Sequence, residues 1–389
     1  MKAKLKITKT AGPSALEGIT ETGRVYLALD VHARHCVLGA MREDGTWLGE
    51  ERVPTSAEAL RELLAKVQAP EKWLTFEEGG MSLWLCDLLR PLVQRLLVCD
   101  PRENALIGRS AKKRDEWDVR ALCRLLRLGE LKEVWHSADA ARNDFLLTAE
   151  SYLEMRQEVV RLKNVLKAWY RRCGVMVCDT ATVYSEAGRK KWLAQLPAGA
   201  RRQAASSQYA VLDALSAAWE QTWLRLVTLG RRYPEIAIFQ AMPGAGPVSA
   251  HLLSALPGDP HRFATRQKLW RYCKLGITDR TSDGKQLGFE RLERHGNGTL
   301  KGVSYHIWKG ALAGKGNEVK RFFERSLERT GDRRHARLNT QRKVLEVLWV
   351  LWCRRAAYDP QRFESVPPAP EFVPAPTPAL TTPAPSAAA

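Results

Sequence analysis

Read only as hydrophobic and polar positions, residues 24–99 switch between short apolar runs and amphipathic stretches. The runs at 24–31 (RVYLALDV), 35–42, 47–53, 72–77 (KWLTFE) and 95–99 have the length and side-chain types of strands. Residues 57–67 and 82–90 place apolar side chains at three- and four-residue steps and predict helices. Glu43-Asp44-Gly45 supplies a turn between the second and third strands, and Thr55-Ser56 offers an N-cap to the first helix. Three strands, a helix, a strand, a helix and a strand predict an α/β sheet with an antiparallel start.

After residue 113 the period is helical. Residues 114–128 form a helix that closes the α/β part. Residues 138–172 and 203–232 predict a long antiparallel helical pair, with Leu146, Leu147, Leu153, Val160 and Leu162 along its packing seam. The stretch 173–200 between them is less regular. From 241, AMPGAGPVSAHLLSAL reads either as a Gly-rich loop whose helix N–H groups can hold a phosphate or as a plain αα-turn. Helices follow at 264–273, 299–314 and 335–355, with a loop (GITDRTSDGKQLGFERLERHGNG) after the first. Trp349 and Trp352 share a face with Leu345 and Leu348, as an interface or core stripe. The expected division is a flexible leader (1–23), a catalytic domain (24–133), a helical coiled-coil spacer (134–236), a helical C-terminal domain (237–358) and a Pro/Ala-rich disordered tail (359–389).

Charge changes the picture. The 389-residue chain carries a formal net charge of +18, which makes a polyanion, and nucleic acid first, the expected partner. Basic clusters stand at 109–114 (RSAKKR) and recur in KNVLKAWYRRC and RRHARLNTQRK. The eight cysteines are scattered with no C-x-x-C pair, which argues against zinc or a disulfide framework and for a reducing, cytoplasmic setting. Cys36, Cys86, Cys99 and Cys123 fall in apolar patterns and read as core residues. The first residues have no signal-peptide core, and no run is long enough to span a membrane.

Four acids carry the candidate chemistry. Asp30 sits inside an apolar strand run, and Glu77, with Glu78 beside it, ends another. Asp115 and Asp118 stand three apart at the start of a helix, so they face the same way. An unpaired buried carboxylate is costly, and acids delivered from two strand ends and a helix suit a divalent metal such as Mg²⁺ (or Mn²⁺). Two such ions can clamp the attacking and leaving oxygens of a phosphodiester. His32, two residues after Asp30, reads as a supporting group or a groove residue.

The ordered set LALDVHARHCVLGAM, FEEGGMSLWLCDLL, AKKRDEWDVRALCRLLRLGELKEVW, AMPGAGPVSAHLLSAL, TSDGK and RHGNGTLKG resembles the insertion-sequence one-ten family of DEDD-type transposases over residues 24–357. The resemblance implies a ribonuclease-H-like (RuvC-like, resolvase-like) N-terminal domain, a coiled-coil spacer and a mainly helical transposase domain. It places the family acids on Asp30, Glu77, Asp115 and Asp118, with Glu77 preferred over Glu78 because the motif glycine then falls on Gly79. It places the family's serine nucleophile on Ser282, although Asp283 stands where glycine is usual and Thr281 precedes it. It further implies donor and target DNA, a structured guide (bridge) RNA, a homodimer assembling to a tetramer, and a bacterial, nucleoid-associated setting. Lys112, Lys113, Arg114, Arg120, Lys285 and Lys301 are candidate nucleic-acid contacts, Lys301 replacing an arginine. Two competing functions are a junction-resolvase-like nuclease without serine chemistry and a non-catalytic nucleic-acid-binding protein.

Overall fold

A computed structural model describes residues 16–104, 115–278, 281–282, 285–286 and 291–365. The basic run 109–114, with Lys112, Lys113 and Arg114, lies outside the described residues, as do the leader up to residue 15, Asp283 and the tail from 366. The chain divides into two compact units between Ala140 and Ala141.

The first unit is a five-stranded sheet. Its strands are β1 (Arg24–Val31), β2 (His35–Arg42), β3 (Trp47–Pro54), β4 (Glu71–Glu77) and β5 (Arg95–Cys99), ordered β3-β2-β1-β4-β5. β1, β2 and β3 pair antiparallel, whereas β4 runs parallel to both β1 and β5. Helices α1 (Ala57–Lys66) and α2 (Ser82–Leu89) connect the strands, and the short α3 (Pro101–Asn104) follows β5. Ser56 Oγ accepts from Ala59 N, so the predicted N-cap of α1 is made.

Both faces of this sheet are covered, and alternation along β1 shows how. Val25, Leu27 and Leu29 enter one core with Leu60, Leu63 and Leu64 of α1 and Leu85, Leu88 and Leu89 of α2. Tyr26 and Ala28 enter the other with Val119, Leu122, Cys123 and Leu126 of α4 (Asp115–Leu128). Successive strand residues point to opposite faces, so a doubly covered strand must be apolar throughout. All four cysteines read as core residues are fully buried. Two expected boundaries are corrected: residues 359–365 are not part of a disordered tail, since Phe363 is buried in the core of the helical unit, and residues 16–23 do not behave as a leader. Leu16 is buried in the sheet core, and Ile19 and Glu21 exchange backbone hydrogen bonds with Gln68.

The second unit is mainly helical. α5 (Ala140–Arg172) and α8 (Ala200–Gly230) form the long pair, with α6 (Thr180–Tyr184) and α7 (Glu186–Ala194) in the stretch expected to be irregular. Tyr152 stacks on Trp219, and Trp169 Nε1 donates to Arg201 O, so the pair is antiparallel. The predicted seam is partly wrong. Leu147 and Val160 are about half exposed, and the buried line is Phe145, Ala149, Tyr152, Val159, Leu162, Leu166 and Tyr170.

The rest comprises α9 (Glu235–Gln240), α10 (Pro247–Ala255), α11 (Arg266–Tyr272), α12 (Gly298–Ala313), α13 (Glu318–Thr330) and α14 (Arg333–Arg354). Val344 to Trp352 of α14 are buried except Glu346, so the Trp349/Trp352 stripe is core. The Gly-rich turn before α10 also has a packing explanation. Gly244 has φ +84°, and a Cβ there would stand 2.1 Å from Ile307 O of α12. Between α11 and α12 the expected loop contains two short strand pairs, β6 (Ile277–Thr278) with β9 (Arg291–Leu292) and β7 (Thr281–Ser282) with β8 (Lys285–Gln286).

Candidate active site

Asp30 and Glu77 come from the carboxyl ends of neighbouring parallel strands. Leu29 pairs with Phe76, so the next residues, Asp30 and Glu77, stand side by side, with backbones about 4.8 Å apart. Leu29 and Phe76 both enter the core of α1 and α2. By alternation Asp30 and Glu77 belong to the opposite face, the one α4 covers.

The helix is aligned so that its start overlies these acids. Val119 packs on Gly39, which pairs with Ala28, while Arg127 lies over Gly45 at the far turn of the β2–β3 hairpin. α4 therefore runs antiparallel to β1, and its first turn lies toward the Asp30 end. Asp118 is half-buried and one turn before Leu122, on the same helical face. Leu122 lines a cavity of about 170 Å³ together with Asp30, Glu77, Glu78, Gly79, Gly80 and Ser82. Cys123 Sγ, donating to Tyr26 O and Gly39 O, holds the helix on β1 and β2. Burial raises the Cys123 thiol pKa, keeping the group a neutral donor.

The two neighbouring glutamates have different surroundings. Glu78 N donates to Cys99 O, and Glu78 Oε2 lies 2.6 Å from His136 Nε2. Glu77 is exposed at the cavity. Asp30 Oδ2 lies 2.9 Å from His32 Nε2, so His32 touches the first acid directly. The loop after β4 is fixed by Gly79 N donating to Ser82 Oγ at 2.8 Å. Sequence reading passed over two groups here, His136 and Asp100. Asp100 follows β5 on the same sheet edge and accepts from Arg102 N and Nε. Its signal was an acid directly after an apolar strand, as for Asp30.

Among the described residues, no group of three or more His, Cys, Asp and Glu side chains is close enough to hold a metal ion. Asp115 is described as backbone at the start of α4, without its side chain. Asp30 and Glu77 nevertheless fit Mg²⁺, which keeps several waters and binds through one or two carboxylates plus substrate phosphates. Thr281, Ser282 and Lys285 are likewise described as backbone in β7 and β8, with Ser282 opposite Lys285. Arg120 is exposed on α4, its guanidinium 5.6 Å from the Trp47 ring centroid, and Lys301 is half-buried on α12.

Two family models match the sequence. One, a transposase model of the DEDD type from IS110 elements, covers residues 27–172. The other, described as transposase of the IS116/IS110/IS902 family, covers residues 236–324. Together they span more than half of the chain. Among curated proteins none matches.

Proposed function

The chain belongs to the IS110 family of transposases and is a DNA transposase or recombinase; on that premise we propose that it cuts and rejoins DNA through Asp30, Glu77, Asp115 and Asp118 with Ser282 as the nucleophile, directed by a structured RNA. The observation that carries the acidic half is the convergence of Asp30 and Glu77 on one cavity under the first turns of α4. The strand order β3-β2-β1-β4-β5 supports a ribonuclease-H-like, resolvase-like reading of the first unit.

The DEDD transposase domain implies a divalent metal in general; Mg²⁺ or Mn²⁺ is our assignment. Asp30 and Glu77 would hold it, joined by Asp115 and Asp118 of α4. Such an ion supplies charge that polarises phosphodiester oxygens. The Asp30–His32 contact orients the first carboxylate.

Ser282 Oγ attacks the phosphorus. A serine–phosphate ester forms as the P–O bond to the departing strand breaks. The serine proton passes to a base, and the departing oxygen takes up a proton. A serine hydroxyl is a weak nucleophile and needs such activation. A second strand's hydroxyl then displaces the serine and rejoins the DNA. Residues 134–236 act as the coiled-coil spacer of this scheme, and 237–358 as the domain that presents Ser282. Pairing between guide RNA and DNA reads the sequence while the basic protein holds the backbone. Two dimers form the working assembly.

The test is recombination of a donor and a target duplex, with adduct formation followed on denaturing gels. Chelator, Asp30→Asn or Glu77→Gln should abolish exchange. Ser282→Ala should keep DNA binding but form no adduct, while Thr281→Ala should retain it. Full activity in chelator refutes the metal site, and an adduct from Ser282→Ala refutes the nucleophile. Cleavage without an adduct in the native protein identifies a nuclease instead.

A further inference from the structure

Lys274 in the turn after α11, Lys301 on α12 and Arg337 on α14 come together in the helical unit with no carboxylate partner among the described residues. They meet where the segment carrying Ser282 leaves the helical body. That segment is closed at its root. β6 pairs with β9, Glu293 N donates to Gly276 O at 2.9 Å, and Asn297 N donates to Tyr272 O at 2.6 Å. Gly296 makes the closure possible: its φ is +110°, and a Cβ there would stand 2.4 Å from Tyr272 O.

This closure holds Lys274 beside the first turn of α12, where a Cβ on Gly298 would lie 3.8 Å from Lys274 Nζ. Lys301 follows on the same helix. Arg337 arrives from α14, which is pinned at this level by Gln341 Nε2 donating to Lys301 O and to Ser304 Oγ. The Arg337 guanidinium lies 5.7 Å from the Tyr305 ring centroid, and its buried Nε has no hydrogen-bond partner among the described residues.

This arrangement is costly to the folded protein. Burial, then the charges of Arg337 and Lys274, hold the Lys301 ammonium below the ordinary lysine pKa, so Lys301 meets like charge from both neighbours. Lys274 has φ +54°, the left-handed residue that ends α11, with Leu275 N donating to Trp270 O at 2.8 Å. Uncompensated positive charge at one point is expected where a ligand supplies the missing balance. All three residues are half-buried, so a ligand can reach them from solvent. The N-terminal end of α12 adds a favourable field for an anion.

We propose that Lys274, Lys301 and Arg337 bind one phosphodiester group of a nucleic-acid backbone and fix the strand at the root of the Ser282 segment. The identity of the anion rests on the transposase reading. No role has been assigned to Lys274 or Arg337 by motif, and the two are 63 residues apart in sequence. A DNA strand and a guide RNA present the same phosphodiester, so the experiment separates them.

Full-length protein is titrated with a labelled DNA duplex and, separately, with an RNA hairpin of equal length, at salt from about 50 to 200 mM. Lys274→Asn, Lys301→Gln and Arg337→Gln are compared with Lys309→Gln, an exposed lysine elsewhere on α12. Each site variant should weaken one of the two complexes roughly tenfold and lower its log–log salt slope by about one. Its melting temperature should stay level or rise, because a repelling charge is removed. Lys309→Gln should change affinity less than threefold or so. Loss with DNA alone assigns a DNA phosphate, and loss with RNA alone a guide phosphate. Wild-type affinity in all three site variants overturns the site while leaving the transposase reading intact. A lowered melting temperature with unchanged affinity identifies a structural cluster and also overturns it. If the native protein binds neither nucleic acid, the transposase reading fails together with this inference.

Discussion

Glu77 and Glu78 are adjacent in sequence, yet their surroundings predict opposite outcomes for the same substitution. Glu78→Gln removes the charge from a pair with His136 whose side chains are 36% and 16% exposed. A half-exposed pair of this kind contributes about 0.5–1 kcal/mol. The amide oxygen of glutamine can still accept from His136, so the loss should sit at the low end, a fall of roughly 1–2 °C in melting temperature. Strand exchange should fall only a few-fold. Glu77→Gln removes a carboxylate that shares the cavity with Asp30 on the α4 face of the sheet. Deleting one preorganised electrostatic group from a reaction centre typically costs about 10²–10³-fold in rate, or roughly 2.7–4 kcal/mol of barrier. Glutamine is nearly isosteric and the position is exposed, so melting should move by less than about 2 °C. Single-turnover strand exchange and thermal melting on the two variants test this together. An inactive Glu78→Gln beside an active Glu77→Gln would show that strand register does not select the functional acid.

Gly39→Ala should lower both stability and exchange: its Cβ would stand 2.5 Å from the Trp47 ring and 3.2 Å from Val119 Cβ, an overpacking of about 1–3 kcal/mol that shifts the helix bearing Asp118; unchanged melting and activity would refute the link. Arg142→Met should cost about 3–5 kcal/mol in urea unfolding, because it leaves the buried Glu235 carboxylate, 2.7 Å from the Arg142 guanidinium, without its cation; adding Glu235→Gln should restore part of the loss. Burial holds the His251 imidazole below its ordinary pKa. The unfolded chain therefore takes up more protons on acidification, so this contribution is complete above about pH 6.5 and is lost as pH falls toward the folded pKa. His251→Gln should flatten the melting profile below about pH 6.5, and an equally steep profile would refute the assignment.

The sheet was legible because its signals are local. Apolar runs, Glu43-Asp44-Gly45 and the Ser56 cap each fix an element within a few residues, and the strands fall within one residue of their expected bounds. Helical faces were less legible. On α5 the leucines suggested a seam, but Leu147 and Val160 face solvent while Ala149, Tyr152 and Tyr170 are buried. One helix serves two cores, Phe145 to Tyr152 in one and Val159 to Tyr170 in the other, so no single apolar stripe runs its length. α13 was missed because charges crowd KRFFERSLERT, although Val319, Phe323 and Ser326 keep helical spacing on its buried side. Leu16 was lost inside a polar leader because one apolar residue has no period.

The same contrast separates the two charged sites. An acid in an apolar strand stands out, since burying an unpaired carboxylate is costly and calls for an explanation in the residue's own neighbourhood. Asp30 and Glu77 were found in that way, and the parallel register then set them side by side. A cation in this chain carries no such signal, because it is one of 61 lysines and arginines. Lys274, Lys301 and Arg337 become informative only when the fold gathers them without a carboxylate among the described residues. Net charge predicts that a polyanion binds but not where. The location comes from the place where the folded chain tolerates a repulsion that a bound phosphate would offset.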